Sequence, residues 1–117
     1  MPYVDGFVLA VPKAQMDDYK AMARLGAEVW KDHGALSYVE CVADDVPYGT
    51  LTSFPRAVMV TEEETVVFSW ITYESREARD AINAKVMADP RMKDAMTSAP
   101  FDGKRMIFGG FQTFLEA

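Results

Sequence analysis

Apolar residues recur along the chain with two different periods, and these periods divide it into predicted strands and helices. Alternating or continuous apolar runs at residues 3–11, 36–43, 64–73 and 105–115 predict four strands. Residues 14–33 instead repeat apolar side chains at three- and four-residue steps, which predicts an amphipathic helix. A second helix is predicted to begin after Ser75 and to end at Asp89, where Pro90 follows, and residues 91–96 form a short helical piece.

The order of these elements, β-α-β-β-α-β, is that of a ferredoxin-like α+β fold with a four-stranded antiparallel sheet. The length of 117 residues predicts a single domain over residues 1–117. In this fold both helices pack on one face of the sheet. The other face is therefore predicted to need a cover from elsewhere.

Side-chain alternation within each strand predicts what the two sheet faces carry. The face expected under the helices holds mostly small residues, namely Val4, Gly6, Val8, Ala10, Ser37, Val39, Cys41, Val67, Ser69 and Ile71. The open face is expected to hold larger ones, namely Tyr3, Asp5, Phe7, Leu9, Tyr38, Glu40, Val42, Val66, Phe68, Trp70, Met106 and Phe108. Because an apolar face of this extent usually marks an interface, a second copy is expected to cover it, forming a homodimer.

Two local signals lie between the strands. Gly34 follows His33 at the end of the first predicted helix, where a left-handed residue commonly closes a helix. The long connection at residues 46–63 contains Ser53 and Pro55, which predict a short capped helical turn. A connection of this length often acts as a lid or covers a sheet edge.

Charge argues against several classes of partner. The chain carries 18 acidic and 12 basic residues, a net charge of −6, and its basic residues do not form a stripe. Nucleic acid is therefore not an expected partner, because phosphate binding needs clustered Lys and Arg. The apolar run near the N-terminus is shorter than the roughly 20 residues that span a bilayer, so no membrane association is expected.

Cysteine and histidine counts bear on redox environment and metals. The single cysteine, Cys41, excludes an internal disulfide, and a cytoplasmic location is expected; its alternating strand predicts a buried core residue rather than a nucleophile. His33 is the only histidine, and Asp44 and Asp45 lie about a strand's length away from it. A metal site is therefore not predicted, and no cofactor is expected.

Five collinear segments resemble the YbaA-like family of small bacterial proteins of unknown function. They are YVDGFVLAVPK, GALSYVEC, ETVVFSWITY, NAKVMADPRM and PFDGKRMIFGGF, and they are distributed along nearly the whole chain. The resemblance implies the dimeric α+β barrel superfamily, in which two ferredoxin-like subunits stack their open sheet faces. That superfamily includes both enzymes and proteins without known chemistry, so the fold does not determine the function.

Two acidic residues, Asp5 and Glu40, are the candidate catalytic residues because both are predicted on an apolar face, where a bare charge is costly. Phe7, Tyr38, Phe68, Trp70 and Arg105 are predicted to surround them as substrate-binding residues. In one interpretation, a carboxyl group in this apolar pocket acts as a general base. In the other, Asp5 and Glu40 form structural pairs with Arg105, Arg56 or tyrosine hydroxyl groups.

Two functions are compatible with these residues. The homodimer is either an enzyme or carrier for a small, partly apolar molecule held in the barrel, or a structural or regulatory interaction module whose barrel is filled by its own side chains. The volume of the cavity distinguishes the two, because ligand pockets measure roughly 300 Å³ or more.

Overall fold

A computed structural model describes all residues from Met1 to Ala117, and its elements follow the predicted order. The strands are β1 (Tyr3–Pro12), β2 (Ser37–Val42), β3 (Glu64–Tyr73) and β4 (Ile107–Gln112). The helices are α1 (Met16–Asp32), α2 (Phe54–Ala57), α3 (Arg76–Ala88) and α4 (Pro90–Met96). The α+β class is confirmed. The last strand begins later than predicted because residues 103–105 form a 3-10 turn, which Asp102 caps.

The four strands form one sheet in the order β2-β3-β1-β4, with every neighbouring pair antiparallel. The two longest strands, β1 and β3, lie at its centre and pair along their whole length. This order and direction are those of the predicted ferredoxin-like fold. No helix of the protein has the length and apolar character needed to cross a membrane.

Helix ends follow the signals in the sequence. Gly34, with φ of 114°, lies directly after the C-cap residue His33. Ser75 caps α3 by accepting a hydrogen bond from the Ala78 amide at 3.1 Å. Asp89 ends α3 and caps α4, whose first residue is Pro90. The helix boundaries are therefore determined by local capping chemistry.

Strand register corrects the predicted sheet faces. Asp5 lies opposite Ile71, and Glu40 lies opposite Ser69, so both acidic residues are on the face that packs under the helices. The prediction was wrong for β1 and β2, whose two faces must be exchanged. It was also wrong for Phe108, which pairs with Phe7 on the helix-covered face, and for Met106, which precedes β4. The other residues on the same face as Asp5 and Glu40 include Tyr3, Phe7, Leu9, Tyr38, Val42, Val67, Phe108 and Gly110. A shift of one residue in register moves a whole strand's side chains to the other face, and alternation within one strand does not specify it.

The opposite side of the sheet, called the open face below, is apolar, but many of its side chains are smaller than predicted. It carries Val4, Gly6, Val8, Ala10, Ser37, Val39, Cys41, Val66, Phe68, Trp70, Thr72, Ile107, Gly109 and Phe111. Of the residues expected there, Val66, Phe68 and Trp70 are in place. Cys41 is exposed on this face and is not part of the core.

The connection between β2 and β3 covers one end of the open face, as the sequence predicted for an edge cover. Ser53 caps α2 through the Arg56 amide at 3.1 Å, and Pro55 lies in its first turn. Val58, which is fully buried, packs against Val8 and Val66. The rest of the open face stays accessible in the single chain, including Phe111, which is 64% exposed.

Candidate functional site

A cavity lies between the helices and the helix-covered face of the sheet. Its volume is about 290 Å³, and it is called the inner cavity below. Most of its wall is apolar and includes Met22, Met87, Met92, Met96 and Met106. Its polar residues are Asp5, Tyr19, Tyr38, Glu40, Ser69, Arg79 and Asn83. This space is inside one chain, whereas the sequence analysis expected a cavity between the sheets of two chains.

Glu40 lies in the wall of the inner cavity and is held by two tyrosines. The Tyr19 hydroxyl group donates a hydrogen bond to Oε1 at 2.8 Å, and the Tyr38 hydroxyl group donates one to Oε2 at 3.0 Å. Glu40 forms no salt bridge. A carboxylate has about four acceptor sites, so two remain for another donor.

The surroundings of Glu40 favour the neutral form of its carboxyl group more strongly than bulk water does. Burial raises the pKa of Glu40 above its ordinary value, while the hydrogen bonds from Tyr19 and Tyr38 partly offset that rise. Burial, together with the negative charge of Glu40, also raises the pKa of both tyrosines. Tyr19 and Tyr38 therefore remain protonated donors, and Glu40 is the group in the cluster that gains or loses a proton.

Close packing of α1 on β2 positions this cluster. Tyr38 precedes Glu40 by two residues on β2, so both side chains point under the helices. A β-carbon at Gly26 would lie 2.7 Å from the Tyr38 hydroxyl oxygen, so only glycine leaves room for it. The Tyr38 ring also packs against Trp30, with centroids 5.9 Å apart.

Asp5, at another part of the wall, is neutralised by a cation. It is 5% exposed, and Arg79 Nη1 donates a hydrogen bond to its Oδ1 at 3.0 Å. Asn83 Nδ2 lies 3.5 Å from its Oδ2, and Arg79 Nη2 also donates to the Tyr3 hydroxyl group at 3.2 Å. The structural ion pair considered for Asp5 is therefore present, but its partner is Arg79 and not Arg105 or Arg56.

Asn83 connects Asp5 to two further side chains. Its Oδ1 accepts hydrogen bonds from Trp30 Nε1 at 3.1 Å and from the Tyr73 hydroxyl group at 3.2 Å. Hydrogen bonds thus join the side chains around Asp5, and Arg79 Nε is the one buried polar side-chain atom left without a hydrogen-bond partner. The cluster around Glu40 contains only hydroxyl donors. Asp5 is therefore paired with a cation, whereas Glu40 accepts hydrogen bonds from neutral groups alone.

Most of the predicted site residues line the inner cavity. Asp5, Phe7, Tyr38, Glu40 and Trp70 belong to its wall, although the Trp70 ring packs on Phe68 on the open face, with centroids 5.6 Å apart.

Two predicted substrate-binding residues do not reach the cavity, and this part of the prediction is wrong. Phe68 lies on the open face and packs against Phe54 of α2. Arg105 forms a bidentate pair with Glu64, at 2.9 and 2.6 Å, and also binds the Met59 carbonyl oxygen. Arg105 precedes β4 and so never enters the sheet, which is why strand alternation misplaced it.

The polar residues that the sequence analysis missed come from the helices. Tyr19 and Trp30 belong to the apolar stripe predicted for the first helix, but that stripe was interpreted only as core. Arg79 and Asn83 are four residues apart on α3, which places them on one side of that helix. Polar residues at two inward-facing helical positions were the available signal for a buried network.

His33 lies in a partly buried polar cluster with Asp89 and Arg91. Its Nε2 lies 2.9 Å from Asp89 Oδ2, and Arg91 Nη2 donates to the same oxygen at 2.8 Å. Arg91 and then His33 hold the pKa of Asp89 well below its usual range. Asp44 and Asp45 lie in the turn after β2, and no three metal-ligating side chains come together anywhere in the protein.

Comparisons with known proteins identify relatives without an assigned activity. Residues 2–103 match the model of a protein family of unknown function, DUF1428. The chain is 56% identical over 116 residues to the uncharacterized protein YbaA of Escherichia coli K12, covering 99% of both chains, and equally similar to YbaA of Shigella flexneri. A dimeric ferredoxin-like protein from an uncultured marine organism matches all of the chain with a TM-score of 0.59 and 12% identity. This last similarity concerns the fold alone.

Proposed function

The chain belongs to the DUF1428 family of proteins of unknown function, and we propose that it binds a small, largely apolar molecule in the inner cavity and uses Glu40 to exchange a proton with it. It would act as an enzyme or as a carrier. The supporting observation is a carboxyl group in the wall of an apolar cavity that no cation neutralises.

The dimensions and chemistry of the inner cavity support a ligand of this kind. Its volume of about 290 Å³ is at the lower end of ligand pockets, which measure roughly 300–1,000 Å³. Methionines dominate part of its wall, and their flexible thioethers adapt to apolar ligands of irregular shape. The few polar groups at Glu40 would determine how the ligand is oriented.

Glu40 has the properties of a general base in such a site. An ionised carboxylate accepts a proton from an acidic C–H or O–H group of the ligand, whose bonding electrons stay on the ligand, and a neutral carboxyl group results. The apolar surroundings favour that neutral product, which is the physical reason for the raised pKa. Tyr19 and Tyr38 orient the two carboxyl oxygens in the ligand-free protein.

Asp5 is not assigned this role, although the sequence predicted it as a second candidate. Its carboxylate is already paired with the Arg79 guanidinium at 3.0 Å and lies 3.5 Å from the Asn83 amide, so it belongs to a structural network. We infer that the Asp5–Arg79–Asn83 network fixes α3 over the sheet and so keeps the inner cavity open.

Ligand retention in variants tests the proposed function. Wild-type protein, Glu40→Gln and Asp5→Asn are purified and examined for a bound small molecule by native mass spectrometry. The proposal expects retention by the wild type, loss or strong reduction in Glu40→Gln, and retention by the folded fraction of Asp5→Asn. Equal retention by Glu40→Gln and the wild type argues against a role for Glu40.

The open face supports the predicted homodimer. Its apolar side chains include Phe68, Ile107 and Phe111, which are 41%, 46% and 64% exposed in the single chain. A surface of this kind usually marks an interface. The similar ferredoxin-like protein is dimeric by its own description. The alternative function, a non-catalytic interaction module, rests on this same face and requires no ligand in the inner cavity.

A further inference from the structure

A second depression lies on the other side of Glu40. It is called the outer groove below, has a volume of about 290 Å³, and runs between α1 and the edge strand β2. Its wall is formed by Met16, Tyr19, Lys20, Ala23, Arg24, Ala27, Tyr38, Glu40, Cys41, Val42 and Val67. Four of these residues, Tyr19, Ala23, Tyr38 and Glu40, also line the inner cavity. The Tyr19–Glu40–Tyr38 cluster is thus the partition between the two spaces.

Two cationic side chains, Lys20 and Arg24, line the outer groove. Lys20 and Arg24 are exposed and lie four residues apart on α1, so they are neighbours on one side of the helix. Neither side chain forms an ion pair with a carboxylate of the chain. Four of the five other arginines, Arg56, Arg79, Arg91 and Arg105, do so or bind backbone carbonyl groups. What distinguishes Lys20 and Arg24 is that both unpaired cations line the same groove.

Apart from the partition residues Tyr19, Tyr38 and Glu40, the rest of the outer groove is largely apolar. Met16, Ala23, Ala27, Val42 and Val67 supply aliphatic surface next to the two cations. A cationic rim beside an aliphatic floor is complementary to a molecule with an anionic end and a hydrocarbon body. Arg and Lys both bind carboxylates, and the arginine fork does so with two hydrogen bonds.

We propose that the outer groove binds the carboxylate end of the ligand whose apolar body occupies the inner cavity, so that the ligand is an amphipathic monocarboxylate. This inference rests on the proposed function of the inner cavity and specifies its substrate class. Lys20 and Arg24 hold the carboxylate, and the hydrocarbon chain passes the partition. The carbon atoms next to the carboxylate then lie beside Glu40.

The partition must open for such a ligand to span both spaces. Only two hydrogen bonds, from Tyr19 and Tyr38, close it across Glu40. Burial of several methylene groups of the ligand offsets the loss of these two hydrogen bonds.

Calorimetric titration with octanoate and 1-octanol tests the inference. The two probes have chains of the same length and differ in charge. The wild type is expected to bind octanoate about tenfold or more tightly than octanol. Lys20→Ala/Arg24→Ala is expected to lose that preference while still binding octanol. Arg76→Ala/Lys85→Ala, which removes two exposed cations of α3, is the matched control and should keep the preference.

Further outcomes separate this inference from the proposed function. Equal affinity of the wild type for both probes, or an octanoate preference that survives Lys20→Ala/Arg24→Ala, overturns the inference. If octanol still binds and Met22→Trp blocks it by filling the inner cavity, the proposed function stands without the carboxylate. Met87→Trp replaces Met22→Trp if the latter fails to fold. If neither probe binds the wild type, both the inference and this ligand class for the inner cavity are wrong.

Discussion

The Tyr38 hydroxyl oxygen occupies the space beside Gly26, 2.7 Å from where a β-carbon on residue 26 would be. No ordinary contact between a side chain and a β-carbon is this short, so an alanine at position 26 must displace either Tyr38 or α1. Because the Tyr38 hydroxyl group also donates to Glu40, the glycine determines the geometry of the partition as well as the spacing of helix and sheet.

The first prediction concerns this contact. Gly26→Ala should lower the free energy of unfolding by about 1–3 kcal/mol, since overpacking outweighs the gain in helix propensity. Gly103→Ala is the control, because a β-carbon there meets nothing within 4 Å. Chemical denaturation of both variants measures the difference. A Gly26→Ala protein as stable as the wild type would show that α1 and β2 are not so closely packed.

The second prediction concerns the pair formed by Asp5 and Arg79. Asp5→Asn removes a buried negative charge and leaves the Arg79 guanidinium without its counter-ion. It should therefore lower the free energy of unfolding by about 1.5–3 kcal/mol. Asp80→Asn is the matched control, since Asp80 lies 2.9 Å from the same guanidinium but its side chain is 61% exposed. Its loss should cost well under 1 kcal/mol. Thermal unfolding distinguishes them, and similar losses for both variants would contradict a structural role for Asp5.

The third prediction follows from the raised pKa of Glu40. A carboxyl group whose pKa is higher in the folded chain than in the unfolded chain stabilises the fold below its unfolded pKa and loses that contribution as pH rises through its folded pKa. Glu40→Gln cannot ionise, so its stability relative to the wild type should increase as pH rises from about 4 to 7. Glu28→Gln, with a 65% exposed side chain on α1, should show no such trend.

The opposite pH dependence is expected for Glu64. Its bidentate hydrogen bonds from Arg105 lower its pKa from 4.5 to about 2. The pair therefore stabilises the fold above pH 4.5 and loses its contribution as pH falls toward 2. Glu64→Gln should be less stable than the wild type at neutral pH by about 1.5–3 kcal/mol, and the two should converge in acid. Glu62→Gln, an exposed neighbour, serves as the control.

The fifth prediction concerns the open face. Phe111→Asp should dissociate the dimer while leaving the single chain folded, because Phe111 is 64% exposed before assembly. Leu51→Asp, on a loop residue that is 89% exposed, should remain dimeric. Light scattering at micromolar concentration measures the mass of each. A wild-type monomer under these conditions would contradict the proposed homodimer.

Local and global features of this protein differ in how well the sequence predicts them. Element order, helix caps at Ser75 and Gly34, and the capped turn at Ser53 were all predictable, because each depends on a few neighbouring residues. The sheet faces were not, since the orientation of β1 and β2 relative to β3 depends on register between distant segments. Asp5 and Glu40 were predicted on the open face of the sheet, whereas both lie on the face that the helices cover.

The partners of the two acidic residues could not be predicted from the sequence either. Alternation placed Asp5 and Glu40 on one face of the sheet together, but it assigned them to the open face and not to the face under the helices. Arg79 and Tyr19, which decide whether each carboxyl group is neutralised, come from helices 74 and 21 residues away in the chain. Which helix face meets which strand is a property of tertiary packing, and a single sequence contains no direct signal for it.

The most direct measurement for the central claim is native mass spectrometry of the protein after incubation with a small-molecule extract of bacterial cells. Wild-type protein and the cavity-filled variant Met22→Trp are compared, and circular dichroism establishes that both are folded. The account predicts a bound mass on the wild type that is absent from Met22→Trp and reduced in Glu40→Gln. A wild type that retains no small molecule, or one retained equally by Met22→Trp, would contradict the inner cavity as a binding site.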